Sequence, residues 1–200
     1  MQKLLIFTRY PLPGQSKTRL IPALGAAAAA RLQRRMTEQT LTVAQTCGVD
    51  IEVWFTGGTE LQLQAWLGTE PSYRPQPSGD LGQRMQSAFE HTFLHGTSQV
   101  VIIGTDCPHL SADLLQRAFT QLQSHDLVLG EAADGGYYLI GLRHPIPQLF
   151  EQIPWSTHRV LTATLDMAHS LNLAVHLLPC LSDIDRPEDL AHLPAHLQPD

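Results

Sequence analysis

Apolar positions change their period several times along the chain. Leu4, Leu5, Ile6 and Phe7 form a short unbroken run closed by Pro11, Pro13 and Gly14, which predicts a strand buried on both faces. Over residues 26–47, Ala29, Leu32, Met36, Thr40, Val43 and Cys47 recur at spacings of three and four, the signature of one helix face. Ile51 to Thr56 returns to strand character and Gly57-Gly58 ends it. A short helical stretch around Leu63 to Leu67 leads into a segment holding Pro71, Pro75, Pro77 and Gly79, which reads as a mobile loop. Leu81, Met85, Ala88, Phe89 and Phe93 mark a second long helix with Asp80 as its N-cap. Val100 to Ile103 is the plainest buried strand. Ser111 caps a helix carrying Leu114, Leu115, Ala118 and Leu122 on one face. Strands at Leu127 to Gly130 and Tyr137 to Leu142 flank a glycine-rich loop. A helix at about 157–171, a strand at Leu173 to Leu178 and a short helix opened by Pro187 complete the pattern.

Strands alternating with helices predict an α/β fold around a mostly parallel sheet. Sheets of this kind bind ligands at the carboxyl ends of their strands. Chemistry is therefore expected in the loops after Phe7, Ile103, Gly130 and Leu178. Two hundred residues suit one domain, and 43% hydrophobic with 16% charged residues is the balance of a globular chain rather than a disordered one. No apolar stretch approaches the roughly 18 residues of a membrane span, and the opening segment lacks the features of a signal peptide. Cys47, Cys107 and Cys180 are too few and too scattered for a disulfide framework or a zinc motif, so a cytoplasmic protein is expected. A net charge of −6 gives no footprint for nucleic acid. Only two of the thirteen basic residues are lysines, Lys3 and Lys17, which makes a lysine inside a Gly/Pro loop conspicuous.

That loop runs from Thr8 to Leu20. Pro13-Gly14, followed by Lys17 and Arg19, suits an anion, because glycine lets backbone amides approach phosphate while the cations neutralise it. It is not a Walker A loop, since only two residues separate Gly14 from Lys17. Gly104-Thr105-Asp106-Cys107-Pro108 sets a carboxylate just past the most buried strand. With Ser111 already available as the helix cap, Asp106 is free to hold a divalent cation together with substrate phosphates. Cys107 has no neighbouring base and reads as a packed thiol. Asp134-Gly135-Gly136 is first a turn signal. As a site, it would let substrate lie along the glycine backbone, with Asp134 on a hydroxyl or the metal. Trp155 is either a loop platform or core. Glu188 and Asp189 suit a helix N-terminus, whereas Asp183 and Asp185, just after a strand, form a candidate second metal-ligand pair. The ten histidines show no metal spacing.

Six segments together resemble the bacterial glycosyltransferase-A-like family also described as selenodomain-associated transferase 1. They are Pro11 to Leu20, Gly79 to Met85, Gly104 to Pro108, Asp134 to Tyr138, Pro154 to Ser156 and Asp183 to Leu190. The resemblance implies the nucleotide-diphospho-sugar transferase fold, a three-layer α/β/α sandwich. It also implies a divalent cation, Mg²⁺ or Mn²⁺. By position, Pro13, Gly14, Lys17 and Arg19 would cradle phosphates, with Asp80 and Arg84 bordering the nucleotide. Asp106, with Asp183 or Asp185, would hold the metal. Asp134, Gly135, Gly136, Tyr137 and Trp155 would face the sugar or acceptor, with Asp134 as a candidate general base. Two departures stand out: the opening is shorter in glycine than in guanylyltransferases of this superfamily, and Arg186 replaces the usual hydroxyl residue before Pro187. The implied activity is glycosyl transfer from a nucleotide sugar to a small-molecule acceptor. The alternatives are nucleotidyl transfer from a nucleoside triphosphate and a nucleotide-binding module without turnover.

Overall fold

A computed structural model describes residues 1–198. One seven-stranded sheet runs through it: β1 Gln2–Arg9, β2 Asp50–Thr56, β3 Ser72–Pro75, β4 Gln99–Ile103, β5 Leu127–Ala132, β6 Tyr137–Leu142 and β7 Val175–Leu181. The spatial order is β3-β2-β1-β4-β6-β5-β7, with only β6 antiparallel to the rest. The helices are α1 Ile21–Leu24, α2 Ala26–Gln45, α3 Glu60–Leu67, α4 Leu81–Leu94, α5 Ala112–Gln121 and α6 Val160–Ser170.

The alternation in the first strand explains the layers. Leu4 and Ile6 face one core with residues of α2, α3 and α5, while Leu5 and Phe7 face a second with residues of α4 and α6. Val101 and Ile103 of β4 join the first core, and Val100 and Ile102 join the second. Each of these side chains contributes about 1.5–3 kcal/mol by leaving water, which is why the unbroken apolar runs become central strands. A third cluster joins Leu20, Ala29, Leu32 and Met36 to Ile184, Leu193 and Leu197. It packs the C-terminal segment against α1 and α2, beside the loop that follows β1.

Several expected elements shift. The proline-rich stretch is not wholly a loop: Ser72–Pro75 pairs in parallel with β2 as an edge strand. An edge is the one place in a sheet that tolerates proline, because one side of the strand needs no partner. The helix expected from about 157 begins at Val160, after a Pro154–Arg159 loop. The last strand is displaced from 173–178 to Val175–Leu181. Pro187–His192 closes as a 3₁₀ helix rather than an α-helix. Both capping expectations hold: Asp80 accepts from the Gln83 amide at 2.9 Å, and Ser111 accepts from the Leu114 amide at 3.3 Å.

Strand order reverses between β1 and β4. The chain first builds outward from β1 through β2 to β3, then crosses back to lay β4 on the other side. Arg9 ends β1 and Asp106 follows β4 at that crevice, where open α/β sheets place their ligands. Because β6 runs backwards, the hairpin that joins it to β5 also opens at this end, bringing Asp134 there.

Candidate functional site

Three chain segments meet at the carboxyl ends of β1 and β4. After β1 the chain turns through Gly14 and is tied back by Ser16, whose hydroxyl donates to the Tyr10 carbonyl at 3.1 Å. Lys17 then adopts a left-handed backbone, φ 49° and ψ 45°, unusual for a residue with a Cβ. That conformation costs on the order of 1 kcal/mol and persists only where the surroundings enforce it. Here it turns the lysine side chain inward, to 3% exposure. Its ammonium donates to Asp106 Oδ1 at 2.7 Å and to the Ile184 carbonyl.

The segment after β7 closes the corner. Ile184 is fully buried in the third cluster, and its amide donates to the Asp106 carbonyl at 2.8 Å. Arg19 pairs with Asp185, and Asp189 accepts from the amides of Asp185 and Arg186. Asp189 thereby caps the 3₁₀ turn that Arg186 has no side-chain acceptor to cap. Ion pairs thus fasten the loop after β1 to both later segments, and Lys17 and Arg19 stand against carboxylates.

Asp183 carries the clearest electrostatic signature. Burial pushes its carboxyl up to about 6, and the nearby charges of Asp134, Asp189 and Asp106 add to the effect. Asp106, Asp134 and Asp183 therefore share one neighbourhood. Asp134 accepts from the Gly136 amide through Oδ1 at 2.8 Å, so it does form the expected turn, and its Oδ2 makes no hydrogen bond among the described residues. A side chain at Gly135, φ +88°, would meet the His158 carbonyl at 2.2 Å. The glycine thus admits the 154–159 loop against the hairpin, and the Gly135 carbonyl accepts from the Leu161 amide.

Trp155 lies over Gly82, where a Cβ would come within 2.4 Å of the indole. Its ring meets Tyr137 edge-on at 6.5 Å. Tyr137 turns its hydroxyl into the core beside Thr164, and burial raises the phenol well above its ordinary range. Asp80 and Arg84 stand at the start of α4, with Arg84 Nε donating to the Gly79 carbonyl at 2.9 Å. Pro13 and Gly14 are exposed or partly so on the loop after β1. Cys107 is buried, and desolvation raises its thiol far above the ordinary range, consistent with a packed residue.

Two contributors were not singled out from the sequence. Gln76 reaches from the end of β3 to the Trp54 carbonyl at 2.9 Å and the Thr8 carbonyl at 3.4 Å, fixing the segment that leads to Asp80. Gln33 sits beneath the crevice. It and Thr37 lie four and eight residues beyond Ala29 on the buried side of α2, a polar break in an apolar face that could have marked them.

A family model described as "uncharacterized protein conserved in bacteria (DUF2064)" matches residues 26–157. The chain belongs to this family. The DUF2064 match begins after Lys17 and Arg19 and ends before Asp183, so it spans Asp106 and Asp134 but neither flanking segment. A candidate nucleotide-diphospho-sugar transferase from Desulfovibrio desulfuricans G20 is 34% identical, with a TM-score of 0.89 over 92% of this chain and 82% of that one. A nucleotidyl transferase from Methanothermobacter thermautotrophicus is 14% identical, with a TM-score of 0.65 over 98% and 97% of the two chains. Rv0371C from Mycobacterium tuberculosis H37Rv, solved with manganese, is 16% identical, with a TM-score of 0.54 over 96% of each chain. No curated protein matches the chain. The three-layer α/β/α sandwich is that of the nucleotide-diphospho-sugar transferase superfamily.

Among the described residues no group of three or more His, Cys, Asp or Glu side chains is arranged to hold a metal ion. The donors that are present are carboxylate oxygens, which suit Mg²⁺ or Mn²⁺, and one or two of them suffice when phosphates and water supply the other ligands. The raised Asp183 carboxyl fits this, because a cation would relieve its repulsion from Asp134 and Asp106. The residues fit a cation shared with substrate rather than an all-protein cage. No described helix is long and apolar enough to cross a membrane.

Proposed function

We propose that this DUF2064 protein is a glycosyltransferase of the selenodomain-associated type, taking a nucleotide-diphosphate sugar and a small-molecule acceptor. The observation that carries the reading is the meeting of Lys17, Asp106 and Asp183 at the strand-order reversal of a nucleotide-diphospho-sugar transferase fold. The 34% identity with the Desulfovibrio protein supports it.

Lys17 and Arg19 bind the diphosphate alongside the backbone of Pro13 and Gly14, exchanging their resting carboxylates for phosphate oxygens. Asp106 and Asp183 are the residues that would hold Mg²⁺ or Mn²⁺, which supplies charge neutralisation on the leaving diphosphate. Asp183 is preferred over Asp185 because its raised carboxyl lies beside Asp134 and Asp106, a repulsion that a cation would relieve. Asp80 and Arg84 border the nucleotide. Gly136 and Trp155 border the sugar side, with the Tyr137 hydroxyl turned into the core and Gly135 packed against the 154–159 loop behind them. Asp134 Oδ2 takes the proton of the acceptor hydroxyl as its oxygen bonds to the anomeric carbon, while the diphosphate leaves with the electron pair. Fixed cations aimed at the leaving charge are the main source of acceleration in such a site. Three free thiols agree with a cytoplasmic setting.

A thermal-shift panel tests the reading, setting nucleotide sugars against nucleoside triphosphates with Mn²⁺, Mg²⁺ or chelator. Ligand at about 100 times its Kd adds about 2.7 kcal/mol to the folded state. Metal-dependent stabilisation by a nucleotide sugar, with nucleoside diphosphate released on turnover, is expected. Preference for a triphosphate, with pyrophosphate released, would replace glycosyl by nucleotidyl transfer. Binding without product would leave a non-catalytic module, and silence would overturn the site.

A further inference from the structure

Three of the buried polar side chains are closed by nearby backbone. Thr40 and Thr92 donate to carbonyls one turn back, and Ser16 donates to Tyr10. Thr8, Gln33, Thr37 and Thr105 differ. None is more than 5% exposed, and their side chains bond to one another. The Gln33 amide nitrogen lies 3.1 Å from the Thr37 hydroxyl, 3.2 Å from Thr105 and 3.4 Å from Thr8, and the Thr8 and Thr37 hydroxyls are 3.0 Å apart. Gln33 and Thr37 are one turn apart on α2. Thr8 immediately precedes Arg9, and Thr105 immediately precedes Asp106.

Replacing such a cluster by apolar side chains of equal shape is close to neutral for stability, so stability alone does not account for it. Hydrogen bonds have direction, and a buried set that is mutually satisfied fixes one arrangement where an apolar core tolerates several. We propose that Gln33 is a positioning residue: through Thr105 it holds the peptide from which Asp106 projects, and so sets the Lys17–Asp106 pair. The inference deepens the reading of the site as a phosphate and metal corner and takes its purpose from that reading. The geometry it concerns belongs to the chain alone.

The two-lysine composition makes the geometry measurable. In protein labelled with ¹⁵N-lysine, the buried Lys17 ammonium should give a slowly exchanging NMR signal at low temperature. Lys3, with its side chain 27% exposed, should exchange quickly. Thr105→Val and Gln33→Leu each strand a buried partner and are expected to lower Tm by a few degrees, while shifting the Lys17 signal and speeding its exchange about tenfold, more than that loss of stability explains. Thr105→Ser, which keeps the hydroxyl, is expected to restore both. An unchanged Lys17 signal in both variants would overturn the proposal. So would a serine variant that behaves like valine, or a signal lost only in step with Tm. A parent protein without the slow signal would overturn it as well, because the pair would be open. If Gln33→Leu does not fold, the Thr105 pair carries the test, and failure of both to fold would make the cluster a requirement of folding instead. Silence in the nucleotide panel would sink the functional reading and leave this measurement standing.

Discussion

The two lysines stand at opposite ends of β1, each beside a carboxylate, and the two corners are built on different plans. At the amino end, Glu52 is buried, with its side chain 6% exposed. One oxygen accepts from the Trp54 indole at 3.1 Å and the other from Arg74 at 3.2 Å, with the Lys3 ammonium 4.0 Å away. Arg74 also stacks over the Trp54 ring. That corner is closed: one buried anion has a donor on each oxygen and two cations about it. At the carboxyl end, Lys17 is the buried partner and Asp106 the half-exposed one, with further carboxylates crowding near enough to raise Asp183. Cations outnumber the carboxylate in the first corner, and carboxylates are left in excess in the second. A buried ion pair as such is weak evidence of function. An excess that needs a cation from outside is stronger evidence.

Substitutions at the two ends should separate these plans. The largest effect is expected from Asp106→Asn, which keeps an oxygen for Lys17 but removes the charge. Turnover should fall by about a hundredfold or more and Mn²⁺-dependent stabilisation by nucleotide should vanish, with Tm lowered by a few degrees because the buried Lys17 loses its anion. Full turnover in this variant would remove Asp106 from the metal site. Glu52→Ala should do the reverse. It strands the Trp54 N–H and leaves two cations without their anion, costing about 2–4 kcal/mol with kcat unchanged in what remains folded.

Asp183→Asn is the third. Its carboxyl is raised in the folded state, so the folded protein holds a proton that the unfolded chain releases between about pH 4 and 6. The resulting penalty is absent below pH 4 and complete above pH 6. The asparagine variant should therefore gain a few degrees of Tm at pH 7.5 and nothing at pH 4, read from melting curves across that range. Discounted for partial exposure, the gain is about 1 kcal/mol. In the parent protein, Mn²⁺-dependent nucleotide stabilisation should weaken as pH falls from 7 to 5, because protonated Asp183 is a poor ligand. Lys3→Met is expected to be the smallest, within about 0.5 kcal/mol, since its ammonium is partly solvated and distant. A loss as large as that of Glu52→Ala would mean that Lys3, not Arg74, balances the buried charge.

The central strands were legible because an apolar run buried on both faces leaves little else for residues 4–7 and 100–103 to become. Caps were legible because Asp80 and Ser111 act within three residues of themselves. The loops that carry Lys17, Asp106 and Asp134 followed from strand ends, which sequence locates well. The edge strand at Ser72–Pro75 was hidden because its prolines argue for a loop, and only the neighbouring β2 makes them tolerable. Gln33 was passed over because its worth depends on Thr8 and Thr105, residues 25 and 72 positions away. The inward turn of Lys17 was equally hidden, since nothing local marks a lysine for a left-handed backbone and its partners lie 89 and 167 positions away.

The separation of the two lysines along β1 also has a practical consequence. Lys3 and the α-amino group of Met1, which donates to Ser98, lie at the amino end of the strand, whereas Lys17 is sealed at the other. Of the two lysines, amine-reactive coupling of the folded protein to a sensor surface or bead should proceed through Lys3, at the amino end. Every immobilised molecule would then stand with the crevice between β1 and β4 facing the solution, a uniform orientation obtained without a tag.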